Sequence, residues 1–565
     1  MLNGGPLNSA ALNSAAQSVV PGPEPIIPGY AFTWRAIVRV GDDDVTPLLT
    51  GEIEVDREEG AAGVASFSIY LGDGPVVPTD WIGRTVTIDY ATETAGELSQ
   101  GRRFTGRVTQ PAWNPVRRVL DVSCTDQLQQ RVEAMEIADV DALVGGAWSA
   151  DVFEPVDGRS RWDYAQERLT SVTGSLDCSP YGALRVTSWL SVVPAFEFGQ
   201  GSTVYGSLTV ELADLSSQTN RIEIECDYRF SRLWQLNASY GWQHPGTGNA
   251  VGEAGFCNWR GDDTELPDVE MITSATESSG QTLFYATWYP LPPTGVYCNP
   301  PAAWRNDFTE LLLGGNWIAG RRWVQSVTER YRLVMEVQPS VAATGPIVGR
   351  QRASFEIESD RAERWESDPI TGGSTGHDDE KDGNRRLSAL NCLLAQGATT
   401  LIAAHRGTTV TWDVPTSMVL PIDLVHTLRL DDQGARAVGK CRRIVDRLDL
   451  GSGSALTTIS IAVMRGGGGA ADPLVPPAGS SDPVSPPSGG GQLSTQLGGR
   501  NGSPAYDDEA DGFSGNWSNR DPGAELFPRR FSLTAKDIPE TYRDEHAPEI
   551  AATYRVSVPD DLLEM

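Results

Sequence analysis

From Tyr30 onward the chain alternates apolar and polar residues over short stretches, the period of half-buried strands. "AFTWRAIVRV" ends at the turn "GDDD", "GEIEVDRE" sets Ile53 and Val55 on one face, and "ASFSIYL" sets Ala65, Phe67, Ile69 and Leu71 on one face. "DWIGRTVTIDYA" follows. Then "GRRFTGRVTQPAWNPVRRVLDVSCTD", Gly101 to Asp126, reads as a strand, a turn with two prolines and a second strand. Five or six short antiparallel strands within about 100 residues predict a small barrel or sandwich.

The period lengthens in "SRWDYAQERLTSV", where Trp162, Ala165 and Leu169 share one side of a predicted helix and Gly174 is its stop. "GSLDCSPYGALRVTSW" reads as strand, turn and strand. "NRIEIECDYRFSRLWQLNASYGW" is a long alternating strand with Ile222, Ile224, Cys226 and Tyr228 opposite the charges. Residues 240–335 hold many Trp and Pro with little period, which predicts long loops and short strands. "TERYRLVMEVQP" and "RASFEIES" return to strand pattern. The best predicted helix follows, capped by Asp382 or Asn384, with Leu387, Leu390, Leu394 and Ile402 on its apolar side and Gly397 a candidate break. Strands recur from "TTVTWDVP" through Val463.

The ends differ in kind. Leu-Asn recurs at Leu2-Asn3, Leu7-Asn8 and Leu12-Asn13 in a small, Pro/Gly-rich leader. Three short repeats close no core, so a flexible arm, or one that orders on a partner, is expected. "RGGGGAADPLVPPAGSSDPVSPPSGGG" is a linker by composition. Beyond it Trp517, Phe527, Phe531, Tyr542 and Tyr554 stand as isolated anchors in a polar background, as in a tail that wraps a partner. The expected fold class is mainly β with an α+β middle part: two similar small antiparallel β-barrels flank a mixed middle domain, with extended arms at both ends. The expected parts are an arm at 1–28, a first barrel at 29–135, a middle domain with a Trp-rich insertion at 136–335, strands and a helix at 336–408, a second barrel at 409–465, a linker at 466–502 and a tail at 503–565.

A chain of 565 residues exceeds one core, and 16 Trp supply ample apolar bulk for several. The net charge of −30 argues against nucleic acid as a tightly held ligand, because phosphate contacts need a basic face. The cysteines at 124, 178, 226, 257, 298, 392 and 441 are scattered and never form a C-x-x-C pair, which reads as buried thiols of a reducing cytoplasm. The start has no basic or apolar signal region, and no 18-residue run is apolar throughout, so neither export by a signal sequence nor stable membrane insertion is expected.

No chemistry-bearing constellation in the sequence holds together. His244, His377, His405, His426 and His546 are too far apart in sequence for a local metal motif. "HDDEKDGN" imitates the first half of a calcium loop, but its twelfth position is Ala389 where a bidentate Glu is required, so an exposed acidic loop before a helix is expected instead. A Cys-His hydrolase lacks a local signature, and 75 carboxylates make any imagined glycosidase pair uninformative. The pairs Arg102/Arg103, Arg117/Arg118 and Arg442/Arg443 read as ion pairs across strands or subunits rather than phosphate clamps. No catalytic, cofactor-binding or metal residue is assigned, and no enzyme activity is expected.

The Gly101–Asp126 hairpin has a counterpart in "HTLRLDDQGARAVGKCRRIVDRLDLGSGSALTTISIAV". "VTIDYA" matches "HTLRL", "RFTGRVTQ" matches "RAVGKCRRIV", and "RVLDVSCTD" matches "LTTISIAV", which places Gly106 and Gly439 alike. A glycine within a strand marks a bulge, bend or close approach. With these pieces the chain, over roughly residues 30–465, resembles the baseplate hub proteins at the tip of long-tailed bacteriophage tails. The resemblance implies a homotrimer at the virion tail tip, made in the host cytoplasm. It adapts the six-fold tail tube and distal tail ring to the three-fold tip and continues the DNA exit channel without binding DNA specifically. Tape-measure protein and central fibre or tip proteins are the implied further partners. A receptor-binding protein using the Trp-rich 234–323 region is the alternative, and a cell-envelope hydrolase a third.

Overall fold

A computed structural model describes residues 22–26, 33–94, 97–243, 267–291, 293–296, 303–304, 309–358, 375–480, 533 and 537–565. The first strands longer than three residues among the described ones are β1 (Thr33–Val40), β2 (Leu49–Glu58), β3 (Val64–Tyr70), β4 (Thr85–Thr94), β5 (Glu97–Asn114) and β6 (Val119–Thr125). Helices α1 (Leu128–Glu133), α2 (Ile137–Val144) and α3 (Arg161–Leu169) pack with the hairpin Gly174–Cys178/Leu184–Ser188 around Leu128, Val140, Tyr164 and Leu176. Next come β7 (Phe196–Phe198), β8 (Thr209–Glu211), β9 (Arg221–Gln243), α4 (Val269–Ser278), β10 (Leu312–Glu336), β11 (Val348–Glu356) and α5 (Gly383–Ala404). The series ends with β12 (Thr408–Pro415), β13 (Thr427–Asp432), β14 (Ala435–Asp449), β15 (Ser454–Val463), β16 (Glu549–Arg555), β17 (Val558–Asp560) and β18 (Leu563–Glu564).

The two barrel-like regions are alike in strand order. In the first it runs β2-β3-β6-β5-β4-β1, and in the second β8-β12-β15-β14-β13-β7. The alternation is as expected: Ala65, Phe67 and Ile69 of β3 are buried, as are Val410, Trp412 and Val414 of β12. Gly106 and Gly439 occupy the same place. A Cβ on Gly106 would lie 2.4 Å from the Thr125 carbonyl oxygen, and one on Gly439 2.5 Å from that of Ala462. Each glycine is followed by a register shift against the next strand, between Val108 and Gln110 and between Cys441 and Arg443. Correspondence extends into the loops, where Arg84 N donates to Trp81 O as His426 N donates to Asp423 O.

The expectation of two separate closed barrels is corrected. Both regions belong to one fifteen-stranded sheet, and among the described residues none of the sheets closes on itself. They are fused through β14 and β2, from Arg443 opposite Glu58 to Asp449 opposite Glu52. A strand with both edges free must pair with something, and here each repeat lends an edge to the other.

The middle sheet is built on β9 and β10, paired antiparallel from Arg221 opposite Glu336 to Gln243 opposite Gly314. The 23 residues of β9 form the long alternating strand expected there, whereas the 25 residues of β10 form a far longer strand than the short ones expected between 240 and 335. Helix α5 covers one face and is continuous through Gly397, where a Cβ would lie 2.6 Å from Met335 Sδ; the glycine admits close approach rather than breaking the helix. It is the one helix among the described residues long and apolar enough to cross a membrane, and its apolar side fills this core. The tail expected to serve a partner instead returns, over Asp537–Met565, to its own chain. There β16 runs parallel to β10, and Tyr554, Val556 and Val558 join the core. At the other end, Glu24–Ile26 of the expected arm pairs with β7.

Candidate assembly surface

The internal joint shows how one repeat grips the next. Arg103 of β5 is fully buried and donates from Nε and Nη2 to the two carboxylate oxygens of Asp446 on β14, both at 2.7 Å. Thr457 Oγ1 also donates to Asp446 at 2.7 Å, and Arg103 Nη1 reaches the Leu420 carbonyl oxygen at 3.3 Å. Burial alone would raise the Asp446 carboxyl, but the Arg103 charge and hydrogen bonds outweigh it and hold it below the usual carboxylate range. Beside it, Asp423 accepts from Arg57 and from Arg185, both at 2.6 Å. Burial again opposes the charge, and the Arg185 hydrogen bond with the Arg57 charge brings that carboxyl down to about 2. Arg406 bridges to Glu59 at 2.7 Å and Arg443 to Asp56 at 2.9 Å.

Of the arginine pairs singled out in sequence, Arg102, Arg103, Arg442 and Arg443 face carboxylates. Arg118 instead ties the 71–74 loop by its carbonyls, reaching Leu71 at 3.1 Å and Gly74 at 2.7 Å. Ion pairing is therefore the dominant use, as expected, and the contacts of Arg103, Arg442 and Arg443 cross the joint between repeats.

Strand correspondence locates an unused version of this joint. The partner of β2 is β14 beyond its bulge; the counterparts are β8 and the outer half of β5, Gln110–Asn114. Each has one neighbour within the sheet and one open edge among the described residues. Transferring the internal register sets Ala112 opposite Glu211, Pro111 opposite Leu212 and Trp113 opposite Val210. Pro111 lacks a donor, which suits an edge. Burial marks the same place: Arg57, Val419 and Leu424 are covered at 3%, 0% and 1% exposure, whereas their counterparts Leu212, Val77 and Ile82 are exposed at 66%, 52% and 55%. The counterpart of the Arg57–Asp423 ion pair is Leu212 with Trp81, an apolar match. Trp81 lines an open depression of about 380 Å³ with Leu48, Leu71 and Val77.

The outward face of the fused sheet is hydroxylic and acidic. Ser68 Oγ donates to Asp121 at 2.5 Å, Thr458 Oγ1 to Asp413 at 2.5 Å, and Thr411 and Ser460 share a hydrogen bond of 2.8 Å. Glu52, Glu54, Asp56 and Glu58 line β2 on this face, against Arg443 and Arg447 of β14.

The residues weighed for chemistry are dispersed. His405 Nδ1 lies 2.7 Å from the Leu401 carbonyl oxygen, His426 Nδ1 accepts from Asp423 N at 3.0 Å, and the His546 backbone bridges to Val327. His244 lies outside the described residues, with Cys257 and Cys298. His377 sits on the strand Gly376–Glu380, which pairs with β9, so the expected exposed acidic loop is corrected to an edge strand. Burial opposes ionisation of Asp379, but His377, 3.2 Å away, and bidentate Arg232 hold its carboxyl below the usual range. Asp382 caps α5, accepting from Asn384 N and Arg385 N. Burial pushes the thiols of Cys124, Cys178, Cys226 and Cys392 up to about 12, leaving them protonated at neutral pH and poor nucleophiles. No cluster of metal-ligating side chains occurs among the described residues.

No family model matches the chain, and neither does any curated protein. Similar solved structures do exist. The tail protein from Neisseria meningitidis MC58 is 11% identical with a TM-score of 0.34, covering 76% of this chain and 96% of its own. A 43 kDa tail protein of prophage MuSo2 from Shewanella oneidensis is 10% identical with a TM-score of 0.35, covering 76% and 98%. A prophage tail protein from Listeria monocytogenes EGD-e is 7% identical with a TM-score of 0.29, covering 75% and 94%. All three are tail proteins.

Proposed function

We propose that this chain is a structural baseplate hub of a phage tail, acting as a homotrimer that adapts a six-fold tube and distal tail ring to a three-fold tip around a DNA exit channel. The observation that carries the reading is the tandem repeat with one joint used and one open. Each chain joins two repeats through β2 and β14 and leaves the equivalent edges, β8 and the outer half of β5, at its two ends. Repeating the internal joint between copies closes a ring once the rotation sums to a full turn. Three chains then present six similar repeats, the symmetry a six-fold partner needs. The hydroxylic, acidic face would line the bore, where it repels the DNA backbone and leaves nothing to hold it. Tape-measure protein and central fibre or tip proteins are the remaining partners of this reading. A receptor-binding role for the Trp-rich region is less well supported, since Trp234 and Trp317 are buried in the middle domain.

The test is a pair of cysteine substitutions, Ala112→Cys and Glu211→Cys, made together in the full chain. Opposed residues of an antiparallel pair bring Cα atoms to about 4.5–5.5 Å, within disulfide reach. Oxidation is expected to give a covalent trimer, alongside a sedimentation mass three times the 60.9 kDa of one chain. A strict monomer at high concentration refutes the reading.

A further inference from the structure

The two most exposed large apolar side chains among the described residues are Tyr205 at 94% and Val116 at 91%. Tyr205 stands in the loop that leads into β8, and Val116 in the turn between β5 and β6. Both backbones are tied down. Asp432 accepts from Gly201 N at 3.0 Å and from Thr203 N at 3.1 Å. Gln433 donates to Val204 O and accepts from Gly206 N, both at 2.9 Å, and Val204 N donates to Asp413 O at 2.8 Å. Gln433 makes these bonds at φ +50°, a conformation that residues with a side chain rarely adopt. In the other turn Asn114 Oδ1 accepts from Val116 N at 3.1 Å and from Arg117 N at 3.0 Å.

The internal joint shows where the two loops belong. There β14 runs on to Asp449 before it turns, and Leu450 N donates to Gly51 O at 3.1 Å, next to Thr50. Glu54 pairs with Ser66 as Thr209 pairs with Thr411, so Gly206 holds the place of Gly51 and Tyr205 that of Thr50. The two glycines share a conformation, φ +74° and +80°. At the open edges the facing turn is shorter. Strand β5 pairs with β6 only as far as Asn114, the counterpart of Arg447, and turns at once through Pro115–Arg118. A long turn therefore meets a small threonine within the chain, and a short turn is matched by a tyrosine where the edge is open.

We propose that Tyr205 anchors the contact between copies, its ring filling the space beside the Pro115–Arg118 turn of the next copy and packing on Val116. This deepens the ring reading above and rests on it. The occupant is a second copy because the element facing this loop's counterpart inside the chain is the β14–β15 turn of the adjoining repeat, and the equivalent β5–β6 turn stands uncovered on every copy. Two apolar groups already held in place lose water on contact with little left to order, which is what a binding anchor needs.

Sedimentation equilibrium of the full chain tests it. Tyr205→Ser is expected to weaken association about ten-fold, with an unchanged circular dichroism spectrum because its own chain does not cover the ring. Val116→Ser should weaken association too, and combining the two should cost no more than Tyr205→Ser alone. Tyr205→Phe keeps the ring and should associate as the wild type does. Unchanged association of both Tyr205→Ser and Val116→Ser, in a chain whose Ala112→Cys/Glu211→Cys form still oxidises to the covalent trimer, overturns this inference and leaves the ring standing. Losses that add in full in the double variant also overturn it, since the two side chains then act apart. A monomeric wild type overturns both.

Discussion

Removing the carboxylate of Asp446 is the most exacting perturbation of the internal joint. In Asp446→Ala the Arg103 guanidinium loses two hydrogen bonds of 2.7 Å in a site where neither side chain exceeds 1% exposure. Its remaining acceptor is one carbonyl oxygen at 3.3 Å, so a nearly uncompensated charge stays in the core. Breaking a buried pair from one side costs about 3–5 kcal/mol, or roughly two to four decades in an opening equilibrium. A chain of several domains has no single unfolding free energy, so the readout must be local. Hydrogen exchange of the amides from Lys440 to Asp449 should quicken by that factor, while amides of β9 and β10 keep their rates. The double variant Arg103→Met/Asp446→Leu removes both charges and should return exchange to within about ten-fold of wild type, since apolar replacements of buried pairs are often neutral or better. An Asp446→Ala chain whose joint exchanges no faster, or a double variant as labile as the single, refutes the claim that this pair locks the repeats.

Gly106→Ala and Gly439→Ala each drive a methyl into a backbone oxygen that has no freedom to yield, and each should cost about 1–3 kcal/mol; if one is damaging and the other silent in thermal unfolding, the two positions are not equivalent. Asp423 and Asp446 have folded pKa values below their unfolded ones, so their stabilisation is complete above about pH 4 and is lost as pH falls through the folded values. For Asp423 that window closes near pH about 2. Asp423→Asn should therefore flatten the fall in unfolding temperature between those limits, and an unaltered pH profile would contradict the assignment. Val558→Ala, at a fully buried position, should cost about 2 kcal/mol and expose Asp537–Met565 to limited proteolysis; equal protease resistance in both chains would show that the segment is held by other contacts. Replacing Glu54, Asp56 and Asp121 with lysine should slow DNA ejection from assembled particles in a salt-dependent way, and ejection that is indifferent to the change argues against a bore lined by this face.

What the amino-acid order determined by itself is local. Period-two alternation placed Ala65, Phe67 and Ile69 on a buried face, because each side chain needs only its own strand to choose a side. Glycine within a strand announced a close approach at Gly106 and Gly439, and Asp382 announced a helix start, since both are properties of a few adjacent residues. Tertiary structure alone decided the joint of β2 with β14, where Glu52 meets Asp449 across nearly 400 positions and the edges carry no local mark of their partner. It also turned "HDDE" from an apparent solvent-facing loop into an edge strand, because Arg232, remote in sequence, supplies the countercharge that makes burying Asp379 tolerable. The return of Asp537–Met565 was equally hidden. Its anchors Tyr554, Val556 and Val558 are too few to make a core, and they are buried only because the middle domain offers one.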